Sequence, residues 1–217
     1  MITHNNPNRY EKTGMEVLIA TRNKNKVHEI VGLLKQLTLT ILSLDDFPDV
    51  PVVEEDGDTF EANAVKKATE YAKHTGLFTL ADDSGLLVDA LGGAPGVRSA
   101  RYAGENATDF ENNAKLLEEL KNVGDGGRAA TFICCIALAD KKGLIRTVTG
   151  KCDGEILTTP QGRGGFGYDP LFKKLDYSKT FAELPLELKN RISHRGMALE
   201  KALLAIERYL LTMNKMR

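Results

Sequence analysis

Short apolar runs alternate with segments of helical spacing along the N-terminal part of the chain, and this alternation limits the possible folds more than any other feature. Strand patterns over residues 16–20, 39–44 and 78–81 are separated by segments over 27–34 and 59–75 in which apolar residues recur at helical spacing. Thr59 is a suitable N-cap and Gly76 a suitable stop for the second helix. Strands that alternate with helices in this way are typical of α/β proteins.

The remainder of the chain continues with both element types. The sequence predicts a helix over residues 108–120, a β-hairpin from 129–138 and 144–148, a strand over 152–157, a glycine-rich loop over 160–172, and a helical region over 186–213 with a break near 192–196. No repeat or interdomain linker separates these elements. We therefore predict one α/β domain over residues 15–217.

The first 14 residues differ from the rest of the chain because they are polar and carry no periodicity. We expect this segment to be an N-terminal extension, disordered or poorly structured, outside the domain. It contains no apolar targeting region. No part of the chain approaches the roughly 20 apolar residues that a membrane-spanning helix needs. The sequence thus predicts neither secretion nor membrane insertion.

Charge and cysteine content limit the partners and the compartment. The chain of 217 residues has 29 Lys and Arg against 30 Asp and Glu, so its net charge of -1 gives no general attraction for nucleic acid. Its cysteines, Cys134, Cys135 and Cys152, form no CxxC pair, and two of them are adjacent in an apolar run. This pattern favours reduced thiols in a protein core and predicts a reducing, cytoplasmic location.

Two adjacent carboxylates, Asp82 and Asp83, follow the third predicted strand and are the most informative feature for function. We expect them in a loop with Ser84 and Gly85. Keeping two carboxylates together beside a buried strand is costly unless they are hydrated, paired or bound to a cation. Mg²⁺ commonly binds one or two carboxylates together with water and phosphate oxygens. The pair therefore predicts a Mg²⁺ site with a water-activating carboxylate; an Asx-turn is the structural alternative.

A candidate phosphate site lies at the first junction between strand and helix. Thr21, Asn23 and Lys26 offer a hydroxyl, an amide and an ammonium near the free N–H groups of a helix N-terminus, where phosphates bind readily. The Walker A spacing is absent. The alternative is an ordinary N-capped surface helix with a solvated Lys26.

The second helix and the acidic loop before it add further candidates. Lys67 on this helix is a second candidate for phosphate binding, while Glu54, Glu55 or Asp56 in the loop are candidate metal ligands. An ordinary charged amphipathic helix is the structural alternative, and this segment taken alone favours it.

The glycine-rich loop carries the candidate base platform. In the run Gly164 to Pro170 (GGFGYDP), Phe166 stands between glycines near Tyr168 and Asp169. Stacking of an aromatic ring on a nucleobase is the functional interpretation, whereas packing of the aromatic rings into the core is the structural one.

A cluster of hydrogen-bond donors precedes the last helix. Lys189, Ser193, His194 and Arg195 lie within a short span, and donors directed at a base edge would select a purine with a carbonyl acceptor at its 6-position. An N-cap formed by Ser193, with solvated His and Arg side chains, is the alternative. Neither histidine nor cysteine spacing indicates zinc.

Together these segments resemble the inosine triphosphate pyrophosphatase family, the non-canonical purine NTP pyrophosphatases that are also called XTP/dITP diphosphatases. The resemblance extends from Met15 over nearly the whole chain. It is carried, in order, by LIATRNKNK, DTFEANAVKKA, ADDSGLLVDALGGAPGVRSARYAGE, GGFGYDPLF, KTFAEL and NRISHRGMAL. The extra first 14 residues and the lysine-rich first loop depart from the family pattern without touching a matched position.

The resemblance implies a role for each matched residue. Asp83 matches the catalytic carboxylate that activates water for attack on the α-phosphorus, with Asp82 beside it as a metal-site partner. Glu55 matches a metal-ligand glutamate, with an uncertainty of one residue toward Glu54. Substrate contacts are implied for Thr21, Asn23, Lys26, Lys67, Ser84, Phe166, Tyr168, Asp169, Lys189, His194 and Arg195.

The family resemblance also implies a fold, a reaction and an assembly. The fold is an elongated α/β domain with a central twisted mixed sheet and two lobes flanking a nucleotide cleft, and members are usually homodimers. The implied reaction is Mg²⁺-dependent hydrolysis of ITP, dITP or XTP to the monophosphate and pyrophosphate. A non-catalytic nucleotide sensor, a hydrolase of modified pyrimidine triphosphates and a nucleotidyl or phosphoryl transferase are the other classes considered. The sequence does not rank the three purine substrates.

Overall fold

The computed structural model describes residues 14–124 and 126–215. In chain order its strands and helices are β1 Met15–Ile19, α1 Lys24–Leu34, β2 Leu39–Ser43, α2 Phe60–Thr75, β3 Phe78–Val88, α3 Asp109–Glu119, β4 Ala129–Asp140, β5 Gly143–Ile156, β6 Phe172–Lys174, α4 Leu186–Ile192 and α5 His194–Lys215. Short 3₁₀ turns lie between several of these elements. The predicted N-terminal extension falls almost wholly on residues 1–13, outside the described residues.

One six-stranded mixed sheet, with strand order β2-β1-β3-β4-β5-β6, organises the fold. β1 pairs in parallel with both β2 and β3, whereas β3, β4, β5 and β6 pair in antiparallel fashion. The predicted α/β class and mixed sheet are therefore confirmed. No helix within the described ranges combines the length and the apolar content needed to cross a membrane.

The helices cover both faces of the sheet. Apolar residues of α1 and α5, such as Ile30 and Ile206, pack on one face, while those of α2, such as Ala64 and Ala68, pack on the other. A third cluster joins α3 to the distal parts of β3, β4 and β5. Because the chain leaves β1 for β2 and returns to pair β3 on the other side of β1, the carboxyl end of β1 is a switch point, where α/β proteins bind ligands.

Most predicted elements are confirmed, including the ends of α2. The Thr59 hydroxyl accepts a hydrogen bond from the N–H of Ala62, and Gly76 ends the helix in a left-handed conformation with φ 73°. The predicted hairpin is β4 and β5. The break in the C-terminal helical region is limited to Ser193, whose hydroxyl accepts the N–H of Gly196 at 3.1 Å. The N-cap of the structural alternative is thus present, but His194 and Arg195 are buried and not solvated.

Two strand predictions were wrong in their extent. β3 does not stop at Ala81 but continues through the carboxylate pair to Val88, because Asp82 and Asp83 pair with Ile136 and Cys135 of β4. The predicted strand over residues 152–157 is not separate, since β5 runs unbroken into it. In both cases pairing with a long neighbouring strand outweighs the low strand propensity of Asp and Gly.

β5 approaches α5 closely at Gly150. A Cβ atom at this position would lie 2.1 Å from the carbonyl oxygen of His194 and 2.5 Å from the backbone nitrogen of Ala198. We expect Gly150→Ala to lower the free energy of unfolding by about 1–3 kcal/mol, because backbone atoms on both sides must move. Urea unfolding measures this change, and Gly124→Ala is the control because its Cβ would meet open space. Equal stability of the two variants would show that α5 shifts freely.

Candidate active site

A cleft of about 310 Å³ opens at the carboxyl end of β1 and the N-terminus of α1. Its wall is formed by segments that are distant in sequence: the turn after β1, α2, β3, the residues before and within α3, the glycine-rich loop and the start of α5. The lining includes all but one of the predicted site residues, namely Thr21, Asn23, Lys26, Glu55, Lys67, Asp83, Ser84, Phe166, Tyr168, Asp169, Lys189, His194 and Arg195. The exception is Asp82.

Asp82 and Asp83 point to opposite faces of β3, since side chains alternate along a strand. Asp82 is 1% exposed and lies on the face that packs against α1 and α5. Its Oδ1 is 2.6 Å from Lys26 Nζ and its Oδ2 is 3.1 Å from Arg195 Nε. Burial alone would raise the pKa of the Asp82 carboxyl, but Lys26 and Arg195 outweigh it and hold the pKa well below its usual range. Asp82 is therefore an ionised anchor for two cations.

Asp83 faces α2 and the cleft. Its Oδ2 accepts a hydrogen bond from Asn63 Nδ2 at 3.1 Å, and its Oδ1 lies 3.9 Å from Lys67 Nζ. Burial raises the pKa of the Asp83 carboxyl to about 6, with a further increase from Glu55, against the opposing effect of Lys67 and Lys26. At neutral pH this carboxylate is ionised and more basic than a solvated aspartate, as suits a group that accepts a proton from water.

Glu55 is the residue of the acidic loop that reaches the cleft. Its Oε2 accepts a hydrogen bond from Lys67 Nζ at 2.9 Å, while the same ammonium donates to the backbone oxygen of Asp82 at 2.6 Å. Glu54 is exposed and outside the cleft wall, and Asp56 pairs instead with Lys66. The position of Glu55 agrees with the choice of Glu55 over Glu54 as a candidate ligand.

The described residues contain no group of three or more His, Cys, Asp or Glu side chains arranged to hold a metal ion. Glu55 and Asp83 face the same cleft, where Lys67 lies between them, but Asp82 is on the other side of the strand. The predicted three-carboxylate set is therefore not assembled. Two carboxylates open to a cleft still fit Mg²⁺, which completes its shell with water and phosphate oxygens.

Glu29 on α1 is a buried member of the site that the sequence interpretation missed. Its two carboxylate oxygens accept hydrogen bonds, one from Lys189 Nζ at 2.8 Å and one from Arg195 Nη1 at 2.6 Å. Lys189 also pairs with Asp169 at 2.5 Å. A sequence signal was available, because Glu29 lies three residues after Lys26 and thus on a similar side of α1. The network fixes Lys189 and Arg195 on the cleft wall.

The loop that carries Phe166 is built around left-handed glycines. Gly165 and Gly167 have φ values of 70° and 62°, so they turn the chain on both sides of Phe166. The Phe166 ring is half-buried in the cleft wall, with Lys189 Nζ 4.7 Å from its centroid. Tyr168 is buried, and its hydroxyl donates to the backbone oxygen of Ser99 at 2.9 Å. The loop thus has an anchored tyrosine and an accessible phenylalanine.

His194 lies at the start of α5 with its ring stacked on Phe132, at 4.5 Å between centroids and an interplanar angle of 9°. Burial lowers the pKa of the imidazole well below its usual range, and the neighbouring Arg195 and Lys189 lower it further. His194 is therefore neutral. Its Nδ1 is buried and finds no hydrogen-bond partner among the described residues.

At the first junction, Asn23 caps the helix as in the structural interpretation, whereas Lys26 is not solvated as that interpretation requires. The Asn23 side-chain oxygen caps α1 by accepting the N–H groups of Asn25 and Lys26 at 3.0 and 3.1 Å. Lys26 is not solvated, because its side chain is 15% exposed and paired with Asp82. Burial lowers the pKa of this ammonium, but Asp82 reverses the effect and the pKa is raised overall. A charged lysine thus lies beside a capped helix N-terminus in the cleft wall.

The chain is closely similar to several bacterial proteins. A protein of Geobacter sulfurreducens named dITP/XTP pyrophosphatase is 59% identical over 183 residues, which cover 84% of this chain and 92% of that protein. A protein of the same name from Desulforamulus reducens is 54% identical over 194 residues, covering 89% of this chain and 96% of that protein.

Solved structures and a family profile agree with these relatives. The structure of a HAM1 protein from Coxiella burnetii superposes with a TM-score of 0.81 at 44% identity, covering 89% of this chain and 99% of that one. The Staphylococcus aureus Ham1 protein gives a TM-score of 0.79 at 38% identity and the same coverages. The sequence profile of the Ham1 family matches residues 17–205. With most of its length matched in sequence and in structure, the chain belongs to the Ham1 family.

Proposed function

We propose that this protein hydrolyses non-canonical purine nucleoside triphosphates, ITP, dITP and XTP, to the monophosphate and pyrophosphate. The observation that carries the proposal is the presence in one cleft of a basic carboxylate, Asp83, and the candidate base platform Phe166, with His194 in the same wall. The close relatives named dITP/XTP pyrophosphatase support it. A nucleotide sensor would have no need of a carboxylate with a raised pKa.

In the proposed reaction Asp83 accepts a proton from the water whose oxygen forms a bond to the α-phosphorus. The bond from the α-phosphorus to the bridging oxygen breaks, and pyrophosphate leaves with the electron pair. Lys26, Lys67 and Lys189 offset the negative charge on the phosphates. Phe166 stacks on the base, and the neutral His194 lies in the same cleft wall. Arg195 has five N–H groups, of which three donate to Asp82, Glu29 and Ser84. A 6-amino purine offers no acceptor to a remaining donor, which favours 6-oxo purines.

Glu55 and Asp83 would hold Mg²⁺, which when bound supplies positive charge next to the phosphates. The balance of charges around the cleft indicates that an additional cation is needed to bind a triphosphate. Among the described residues, the wall has six cationic side chains and four carboxylates, and the two carboxylates of Glu29 and Asp82 lie directly behind it. Since these charges cancel, a triphosphate meets no excess of positive charge. A divalent cation provides that excess.

Release of pyrophosphate from ITP, XTP, dITP, GTP and ATP, measured with and without Mg²⁺, tests the proposal. We expect Mg²⁺-dependent release from the first three substrates and much slower release from GTP and ATP. No release from ITP or XTP would contradict the proposal, and binding without release would indicate a sensor. A homodimer, a cytoplasmic location and the absence of nucleic-acid partners stay predictions from the sequence.

Magnesium affinity should depend on pH through Asp83. Because the pKa of this carboxyl is about 6, a proton occupies it increasingly below that pH and must leave before a cation binds. We expect the apparent Kd for Mg²⁺, measured by calorimetry, to be constant above pH 7 and to rise about tenfold per pH unit below 6. A carboxyl with the ordinary pKa of 3.8 would give a constant Kd down to pH 5. That constancy would show that Asp83 does not bind the ion.

A further inference from the structure

The peptide groups of Gly167, directly after the platform residue Phe166, are held by the first turns of α3. The Gly167 N–H donates to Asp109 Oδ2 at 2.7 Å, and its carbonyl oxygen accepts from Asn113 Nδ2 at 2.8 Å. Asp109 and Asn113 are four residues apart and therefore share one face of the helix. Both backbone groups of a single loop residue are thus bound by one helix.

The helix end that makes these contacts is itself fixed. Thr108 caps α3, with reciprocal hydrogen bonds between Thr108 and Glu111. Asn113 is buried and donates its second amide hydrogen to the backbone oxygen of Asp109 at 2.8 Å. The Asn113 side-chain oxygen is buried with no hydrogen-bond partner among the described residues. The orientation of the amide is therefore set by its two donor contacts, one of which is the loop.

The loop needs such an external support. Gly167 has a φ of 62°, and no atom lies within 4 Å of the place where its Cβ would be, so side-chain packing does not hold it. On the other side of Phe166, the backbone N–H of Phe166 donates to Asp169 Oδ2 at 2.9 Å. The backbone on one side of Phe166 is therefore held by the Asp169 carboxylate, and on the other side by Asp109 and Asn113 of α3.

We propose that Asp109 and Asn113 are positioning residues that set the place of Phe166 against the purine base, which rests on the proposed function above. Asp109 lines the cleft, whereas Asn113 does not. An effect of Asn113 on nucleotide binding therefore passes through its contacts with Gly167 of the loop and with the backbone of Asp109. The two residues act on the base platform and not on Lys26 and Lys67, which the proposed function assigns to the phosphates.

Kinetics of Asp109→Ala and Asn113→Ala test this proposal. We expect each to raise the KM for ITP about tenfold and to change kcat by less than about threefold. The reason is that loss of one hydrogen bond leaves the loop, and with it the Phe166 ring, less firmly fixed against the base. The inhibition constant of inorganic tripolyphosphate, which has no base, should stay unchanged. Asp109→Asn keeps an acceptor oxygen and should restore the KM. Phe110→Ala is the control, since Phe110 is 81% exposed on the same turn.

Hydrogen exchange of the Gly167 amide provides a readout that does not depend on activity. Exchange followed by NMR should accelerate in Asp109→Ala and stay slow in Phe110→Ala. Faster exchange with an unchanged KM for ITP would overturn the proposal, as would an equal loss of affinity for ITP and tripolyphosphate. If the wild-type protein releases no pyrophosphate from ITP, the proposed function fails. An active wild type with unaffected variants contradicts the positioning role alone.

Discussion

Asp83→Asn should lower kcat for ITP by about 10²–10⁴-fold, the contribution of a general base, while the KM or Kd for nucleotide changes little. The substitution keeps the size of the side chain and one oxygen that can accept from Asn63. It removes the charge that accepts the proton of the attacking water. Single-turnover measurements with Mg²⁺ at saturation separate the chemical step from binding.

Asp89→Asn is the matched control, because Asp89 is an exposed aspartate directly after the same strand. It should retain wild-type kcat. Wild-type kcat in Asp83→Asn would remove Asp83 from the role of base. A loss of nucleotide affinity as large as the loss of kcat would instead assign to Asp83 a mainly binding role.

Asp82→Asn should lower the free energy of unfolding by about 3–5 kcal/mol, the usual cost of removing one partner from a buried ion pair. The substitution leaves Lys26 and Arg195 buried with less negative charge near them. In the folded protein the pKa of Asp82 lies well below 3.8, so its stabilising contribution is complete above that pH and is lost only as the pH falls toward the folded pKa. The destabilisation should therefore be constant between pH 5 and 8, within about 0.5 kcal/mol.

Urea unfolding and Mg²⁺ titration of the same Asp82→Asn protein distinguish an anchor from a metal ligand. An anchor gives a large change in stability with unchanged Mg²⁺ affinity. A ligand gives the reverse, and that result would restore the metal role predicted from the sequence. Asp89→Asn should shift the free energy of unfolding by no more than about 0.5 kcal/mol.

The sequence predicted the elements whose signals are local. The caps at Thr59 and Gly76 fixed the ends of α2, and apolar spacing located α1 and the central β-hairpin. A nucleotide cleft was expected from the family resemblance, and nearly all the residues matched to the family line it. Such signals depend on a few neighbouring residues, which is why they can be recognised without tertiary structure.

The errors concern residues whose conformation is set by distant partners. Asp82 and Asp83 beside Gly85 resemble a turn, and only the ten-residue pairing with β4 makes them part of a strand. Gly150 and Gly154 appear to interrupt β5, yet their missing side chains admit α5 and β6 at close range. Glu29 looks like an ordinary helix surface residue until Lys189 and Arg195 are brought to it across the fold.

The alternation of side chains along β3 has a consequence for evolution of the family. Neighbouring codons for Asp82 and Asp83 are subject to selection through different properties of the protein, namely its abundance in the cell and its turnover. A replacement at position 83 is expected to leave a folded chain that can still hold a nucleotide, whereas a replacement at position 82 is expected to lower the stability of the fold and with it the amount of folded protein in the cell. Descendants that bind nucleotides without hydrolysing them are therefore expected to arise more readily by change at the second aspartate than at the first.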